Sequence, residues 1–128
     1  MDNRRARIIV GSLLLTFVAV RVMLHMSPNA DFNVGGYNVH HLFTGILLLT
    51  AGGIPLTLFP GRSVILDLSA VLFGTGLSLV LDEWVYLIAT DGTNASYLLP
   101  VSLRGGVIMI ALAALYVGIL YMVSNKRR

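Results

Sequence analysis

Four long stretches of this chain contain few charged residues, and this feature most constrains how the chain can fold. The last of them, from Gly105 to Val123, has no charged side chain at all. A helix needs about 20 mostly apolar residues to cross the ~30 Å hydrocarbon layer of a bilayer. Inside that layer every backbone polar group must be satisfied within the protein, so such stretches are expected to form spanning helices. The predicted spans cover residues 8–26, 39–59, 64–89 and 97–123.

The overall composition agrees with this interpretation and excludes several classes of protein. Hydrophobic residues make up 56% of the 128 residues and charged residues 12%, whereas an average globular domain is about 25% charged. The chain has no cysteine, which excludes a disulfide-stapled secreted module. Because four spans leave no room for a separate soluble domain, we predict a single transmembrane domain over residues 1–128.

Short polar segments between the spans predict how the helices are arranged. The turn-forming residues in these segments are Gly35-Gly36, Pro60-Gly61 and Asp91-Gly92. Short connections place consecutive helices side by side and antiparallel. The sequence therefore predicts an all-α membrane protein, an up-down bundle of four transmembrane helices.

The first span follows a basic segment, as the core of a signal peptide would. Its apolar character continues past Arg21, and no small-residue cleavage site follows. We therefore expect this span to be a retained helix.

Basic residues concentrate on one side of the predicted bundle. The up-down topology places seven of the nine Lys and Arg residues there, namely Arg4, Arg5, Arg7, Arg62, Lys126, Arg127 and Arg128. The loops on the other side carry Asp31 and Asp91 but no Lys or Arg. The positive-inside rule then predicts that the N and C termini are both cytoplasmic. We interpret the net charge of +3 as a consequence of the membrane topology and of contact with anionic headgroups of the lipid bilayer. We therefore expect no nucleic-acid partner.

Ionisable residues inside the spans converge on one level, in the outer half of the bilayer. At 1.5 Å per residue, Arg21, Asp82 and Arg104 each lie roughly 10 Å below the outer surface. The residues of this layer are Arg21, His25, His40, His41, Asp82, Glu83 and Arg104. Because unpaired charges are costly in lipid, such a layer marks the place where a functional site is expected.

Small residues predict which helix faces pack together. The predicted stripes are Ala70, Gly74, Ser78 and Asp82 in the third span, His41, Gly45 and Gly52 in the second, and Arg104, Ala111 and Gly118 in the fourth. Small side chains permit close helix approach in lipid, so we expect the polar residues that extend these stripes to point into the bundle. Gly76 is a further predicted packing residue. Asp67 stands apart, near the start of the third span, where a carboxylate favours the helix dipole.

The residue types of the polar layer favour a divalent metal site. Imidazole and carboxylate groups suit Zn or Fe, and Mn less well. The predicted ligands are His40, His41, Asp82 and Glu83. In this interpretation Arg21, Arg104 and His25 balance the charge around the metal or bind an anion. Copper, held by Met23, His25 and Met26, ranks below the other metals.

Two other interpretations of the layer remain open. The two arginines and the two carboxylates can pair as interhelical salt bridges, in which case the chain is a non-catalytic structural subunit or assembly factor of a larger membrane complex. Alternatively, the layer holds an anion or a proton in a transporter that works as a homo-oligomer. There is no cysteine and no serine has an evident base partner, so the sequence leaves open whether the protein is an enzyme.

Two motifs in the second and third spans resemble those of a protein group. His40-His41-Leu-Phe-Thr-Gly45 opens the second span, and Gly74-Thr-Gly76-Leu-Ser-Leu-Val-Leu-Asp82-Glu83 leads to the end of the third. They resemble uncharacterised small prokaryotic integral membrane proteins, in which a His-His-x-x-x-Gly helix precedes a Gly-rich helix ending in Leu-Asp-Glu. The resemblance implies that the named positions are signature positions and that the protein lies in the cytoplasmic membrane of a bacterium or archaeon. It implies no particular activity.

Overall fold

A computed structural model describes residues 3–30 and 33–126, which are mostly helical. In chain order the elements are α1 (Asn3–Met26), β1 (Asn33–Val34), β2 (Tyr37–Asn38), α2 (His41–Leu58), α3 (Val64–Ala89), α4 (Asn94–Tyr97) and α5 (Pro100–Lys126). Three charged residues that enter the orientation prediction, Asp31, Arg127 and Arg128, lie outside the described residues.

Four of the helices, α1, α2, α3 and α5, are each long and apolar enough to cross a membrane. The shortest is α2, with 18 residues. At 1.5 Å per residue it is about 27 Å long, close to the thickness of the hydrocarbon layer. The predicted fold class, an all-α membrane protein with four spanning helices in an up-down bundle, is confirmed.

The fourth span begins differently from the prediction. In place of one helix from residue 97, the chain forms the short α4, which ends at Tyr97, and starts α5 at Pro100. Proline has no N–H to donate and is favoured in the first turn of a helix. Thr93 caps α4 by accepting a hydrogen bond from the Ser96 N–H. This break buries Tyr97, which contacts the polar residues of the bundle.

The central element of the bundle is α3, which packs against α1, α2 and α5. Its Gly74 faces α1 and its Gly76 faces α2. The two glycines are two residues apart, so they lie about 200° apart around the helix axis. The predicted stripe of α3, formed by Ala70, Gly74, Ser78 and Asp82, is buried along its whole length. Because α1 and α2 pack on different sides of α3, a polar residue of each helix can reach Asp82, the last residue of this stripe.

Glycines bring α2 and α3 into backbone contact. A Cβ atom on Gly45 would lie 2.7 Å from the Gly76 carbonyl oxygen, and one on Gly76 would lie 2.6 Å from the Gly45 carbonyl oxygen. On the other side of α3, a Cβ on Gly74 would lie 2.5 Å from the carbonyl oxygen of Ile9. Such close packing, rather than the hydrophobic effect, is what holds helices together in lipid.

A small antiparallel hairpin, which the sequence indicated only as a turn-rich loop, connects α1 and α2. Val34 pairs with Tyr37, and the intervening Gly35 and Gly36 have φ angles of 59° and 84°. Both angles lie in the left-handed region, which glycine adopts at little cost and which two-residue hairpin turns require. We call the end of the bundle that carries this hairpin and α4 the hairpin end.

The opposite end, where α1 begins and α5 ends, is the terminal end. There Arg4 Nη2 forms an ion pair with Asp67 Oδ2 at 2.6 Å, and Arg5 donates a hydrogen bond to the Gly61 carbonyl. Asp67 therefore has an arginine partner in addition to its place in the first turn of α3. These contacts tie the start of α1 to the turn between α2 and α3.

Candidate functional site

Two adjacent carboxylates near the hairpin end of α3 form the centre of the candidate site. Asp82 is 1% exposed and Glu83 is 3% exposed. Because successive residues of a helix point about 100° apart, the two side chains reach different neighbours. Asp82 contacts α1, α2 and α4, whereas Glu83 contacts the start of α2.

Arg21 of α1 forms a buried ion pair with Asp82. Its Nε donates to Asp82 Oδ1 at 2.6 Å. Its Nη2 donates to both the carbonyl and the hydroxyl oxygen of Ser102, each at 3.1 Å. The guanidinium carbon also lies 4.2 Å from the centre of the Tyr97 ring. Arg21 therefore joins α1 to α3, α4 and α5, and its permanent charge neutralises Asp82.

Two small residues of α5 make room for this ion pair. Ser102 is fully buried, and a Cβ on Gly106 would lie 3.0 Å from both Arg21 Nη2 and Asp82 Oδ1. Sequence reasoning missed both residues. Their spacing of four places them on one helix face and is the signal that could have indicated them.

Tyr97, a residue that sequence reasoning also missed, closes the site from α4. Its hydroxyl donates to Asp82 Oδ2, and its ring meets the His41 ring edge-on, with centroids 5.7 Å apart. Burial, and then the charge of Asp82, raise the pKa of the Tyr97 phenol far above its usual range. The phenol is therefore a stable hydrogen-bond donor to Asp82.

Glu83 interacts with the first turn of α2. The backbone N–H of Leu42 donates to Glu83 Oε2 at 2.8 Å. The first N–H groups of a helix have no partner within the helix and carry a partial positive charge. The N-cap residue His40 makes no side-chain capping bond. A carboxylate from α3 thus takes the place of a local cap on α2.

Both histidines at the start of α2, the N-cap His40 and His41, lie close to Glu83. His40 Nδ1 lies 3.2 Å and His41 Nδ1 lies 3.4 Å from Glu83 Oε1. The other ring nitrogen of His41, Nε2, lies 2.9 Å from Asp82 Oδ2. A neutral imidazole has one donor and one acceptor, and an ionised carboxylate only accepts. The Nε2 contact is a hydrogen bond and the Nδ1 contact is an ion-pair distance, so an imidazole with a proton on both nitrogens could pair with both carboxylates.

The formal charges of the cluster also favour an additional positive charge. We call Arg21, His40, His41, Asp82 and Glu83 the polar cluster. Arg21 contributes one positive charge and the two carboxylates contribute two negative charges, so the cluster with neutral histidines carries one uncompensated negative charge. Since an uncompensated charge is costly in a buried setting, the cluster favours the uptake of a positive charge.

A cavity of about 220 Å³ adjoins the histidine half of the cluster. Its polar lining comes from His40, His41, Glu83, Tyr86, Asn94 and Tyr97. The side chains of His40 and His41 are 23% and 21% exposed, against 4% for Glu83. The imidazoles are therefore more accessible from the cavity than Glu83 is.

Two residues of the predicted layer lie outside the cluster. Arg104 is exposed on α5, so the prediction that it points into the bundle is wrong. The inward face of α5 carries Ser102, Gly105, Gly106 and Ile110. Arg104 lies two residues from Ser102, about 200° around the helix. Ala111 is exposed for the same reason, and a Cβ added to Gly118 would have no neighbouring atom within 4 Å.

His25 is the second of these residues. It is exposed at the hairpin end of α1, beside a separate depression of about 310 Å³ that Arg21 and Tyr97 also line.

The four predicted metal ligands, His40, His41, Asp82 and Glu83, all lie in the polar cluster, where they contact one another in pairs. Within residues 3–30 and 33–126 no three His, Asp or Glu side chains come together in an arrangement that could hold a metal ion. Metal binding therefore stays a prediction from residue chemistry.

The fold and the cluster define a class: a small multi-pass helical membrane protein with a buried charged cluster. Comparisons with protein-family models, with curated proteins and with solved structures find no match.

Proposed function

We propose that this protein is a cation-binding membrane protein, and that the polar cluster takes up either a proton or a divalent metal ion. The observation that carries the proposal is the position of His41 between two carboxylates, of which, within residues 3–30 and 33–126, only Asp82 has an arginine partner. The charge that remains on Glu83 is the attraction for a cation. The adjacent cavity gives that cation a place to enter.

The geometry favours a proton as the occupant. The ring nitrogens of His41 lie 2.9 Å and 3.4 Å from oxygens of Asp82 and Glu83, and a proton on each nitrogen lets the imidazole pair with both carboxylates. A metal ion would require the same side chains to exchange their mutual hydrogen bonds for metal bonds. The residue chemistry, imidazole with carboxylate, supports Zn or Fe as the metal occupant.

A second candidate function, that of a structural subunit, is favoured by the other half of the cluster. The hydrogen bonds of the Arg21 guanidinium join α1 to α3, α4 and α5. Arg21 and Asp82 are more buried than the histidines, and their ion pair joins two helices. We infer that Asp82 and Arg21 fix the helices and that Glu83 and the histidines bind the cation.

The metal arm of the test uses the protein purified in detergent. Zn²⁺ and Fe²⁺ are titrated separately by calorimetry, and metal content after dialysis is measured by elemental analysis. Metal binding predicts one ion per chain, lost in His41→Ala and in Glu83→Gln. His25→Ala is the matched control, because His25 is exposed and outside the cluster, and it keeps the metal.

The proton arm uses the same protein with ¹⁵N-labelled histidine. The chain has three histidines, so three imidazole signals follow the pH titration and each is assigned from its alanine variant. Proton binding predicts that the His41 imidazole responds to Glu83→Gln while the His25 imidazole does not. A protein that binds neither metal, and whose His41 and His25 titrate alike in both backgrounds, contradicts the proposal.

We also propose that the protein lies in the cytoplasmic membrane of a prokaryote with both termini on the cytoplasmic side. The support is the charge distribution: Arg4, Arg5 and Lys126 belong to the terminal end, whereas the described loops at the hairpin end carry the acidic Asp91.

A further inference from the structure

A groove of about 670 Å³ lies between α1 and α5 toward the terminal end, away from the polar cluster. Its walls come from the first half of α1 and the second half of α5. Gly11 lies on one wall, and Ala114 and Gly118 lie on the other. Arg7 and Tyr121 line the same groove. Nothing in the proposed cation site depends on these residues.

The groove exists because α1 and α5 diverge along their length. Toward the hairpin end they touch, and a Cβ on Gly106 would lie 3.0 Å from Phe17 Cε2. Toward the terminal end, neither Gly11 nor Gly118 has any neighbouring atom within 4 Å of a Cβ position. Glycine at these two sites leaves open space that a larger side chain would fill. The groove is thus a long apolar slot on a helix surface of membrane-spanning composition.

One end of the slot carries a positive charge. Arg7 is exposed, and its Nε donates to the Asn3 carbonyl at 3.3 Å. In the part of the chain that the structure describes, no carboxylate pairs with Arg7. Lys126 ends α5 at the same end of the bundle. An apolar slot with a basic group at its membrane-surface end matches an acyl chain joined to an anionic headgroup.

We propose that this groove binds one anionic phospholipid, with an acyl chain along Gly11 and Gly118 and the phosphate at Arg7. The charge of this end argues against a second copy of the chain as the occupant. Two copies packed here in the same membrane orientation would bring Arg7 of each toward Arg7 of the other, and like charges repel. An anionic lipid neutralises the same residues.

The experiment is native mass spectrometry of the full chain in detergent, with phosphatidylglycerol and phosphatidylcholine supplied in equal amounts. The wild-type protein is expected to retain one phosphatidylglycerol in preference to phosphatidylcholine. Gly118→Leu, which fills the slot, is expected to lose the bound lipid. Arg7→Gln is expected to lower the preference for the anionic lipid about fivefold, the effect of one basic residue near an anionic surface.

Two further variants keep the result interpretable. Gly11→Leu fills the slot from the α1 wall and is expected to match Gly118→Leu. Ala51→Leu places the same side chain on the exposed face of α2 and is expected to retain the lipid. Equal lipid retention in Gly118→Leu, Gly11→Leu and wild type overturns the proposal. So does a protein dimer that persists without lipid and dissociates in Gly118→Leu, because the occupant is then a second copy.

Discussion

Asp82 and Glu83 are neighbours in sequence, but different groups hold their charges. Asp82 is paired with a permanently charged guanidinium and receives a phenol hydrogen bond. Glu83 is held by the Leu42 N–H and by the imidazoles of His40 and His41. The two carboxylates therefore have different surroundings. The pair of Asp82 with Arg21 joins helices, and the contacts of Glu83 with the imidazoles belong to the part of the cluster for which we propose cation binding.

The Arg21–Asp82 pair predicts a large effect of breaking one partner. Arg21→Met leaves Asp82 buried without its cation and is expected to lower the free energy of unfolding by about 3–5 kcal/mol. Unfolding of the purified protein in detergent, followed by circular dichroism against denaturant, measures this change. Arg104→Met, the matched substitution at an exposed arginine of α5, is expected to leave stability nearly unchanged.

The double variant Arg21→Met with Asp82→Leu tests the physical reason for that loss. Removing both charges leaves no buried ion unpaired, so the double variant is expected to be more stable than Arg21→Met alone. A double variant that is less stable than Arg21→Met by the full cost of a second independent loss would refute the electrostatic explanation.

Sequence analysis predicted all five residues of the polar cluster because depth in a membrane can be counted along a helix. Counting at 1.5 Å per residue placed Arg21, Asp82 and Arg104 at one level. The structure brings Arg21 and Asp82 together, whereas Arg104 is exposed on α5. The same method could not identify Tyr97 or Ser102. A tyrosine near an interface and a serine in a span are ordinary features, and their roles depend on which way the backbone turns between α4 and α5.

At the scale of the helices, α2 and α3 can come into backbone contact because Gly45 and Gly76 have no side chain. Gly76→Ala raises the helix propensity of α3 but puts a Cβ 2.6 Å from backbone atoms of Gly45 and Leu49. Backbone cannot move aside as a flexible side chain can. We expect Gly76→Ala to lower the unfolding free energy by about 1–3 kcal/mol, measured by the same denaturant unfolding.

Gly11→Ala is the control for this prediction. Gly11 is a mid-helix residue of α1, and no neighbouring atom lies within 4 Å of its Cβ position. Alanine there therefore adds helix propensity without a clash. Its stability is expected to be equal to wild type or higher by up to about 1 kcal/mol. If both alanine variants changed stability equally, propensity and not packing would govern the effect of Gly76→Ala.

Helix phase explains why α5 was the element predicted least well. A repeat of seven through Arg104, Ala111 and Gly118 and a repeat of four through Ser102 and Gly106 both offer a face of small residues. The sequence alone does not rank the two faces, because each is apolar enough for lipid or for protein. The inward face of α5 is determined by the contacts of Gly105 with Val85 and of Gly106 with the ion pair. These partners belong to other helices.

For the whole molecule, the charge distribution predicts an orientation that a labelling experiment can check. Lys126 is the single lysine of the chain and ends α5. In intact spheroplasts of a bacterial host, a membrane-impermeant amine reagent is expected to leave Lys126 unlabelled until the membrane is permeabilised. Peptide mapping separates Lys126 from the N-terminal amine.

The control for orientation is Asn33→Lys in the exposed hairpin, which is expected to react before permeabilisation. Labelling of Lys126 in intact spheroplasts, with Asn33→Lys protected, would reverse the orientation. The cavity beside the polar cluster would then open toward the cytoplasm.

The carboxylate of Glu83 that completes the first turn of α2 has a consequence for biogenesis. During translation α2 leaves the ribosome before α3, so its leading N–H groups wait for a partner that has not yet been synthesised. The five-residue connection between Leu58 and Val64 (residues 59–63) is short enough to deliver that partner directly. We therefore expect α2 and α3 to leave the translocon together as a helical hairpin, with Glu83 completing α2 only as α3 arrives beside it.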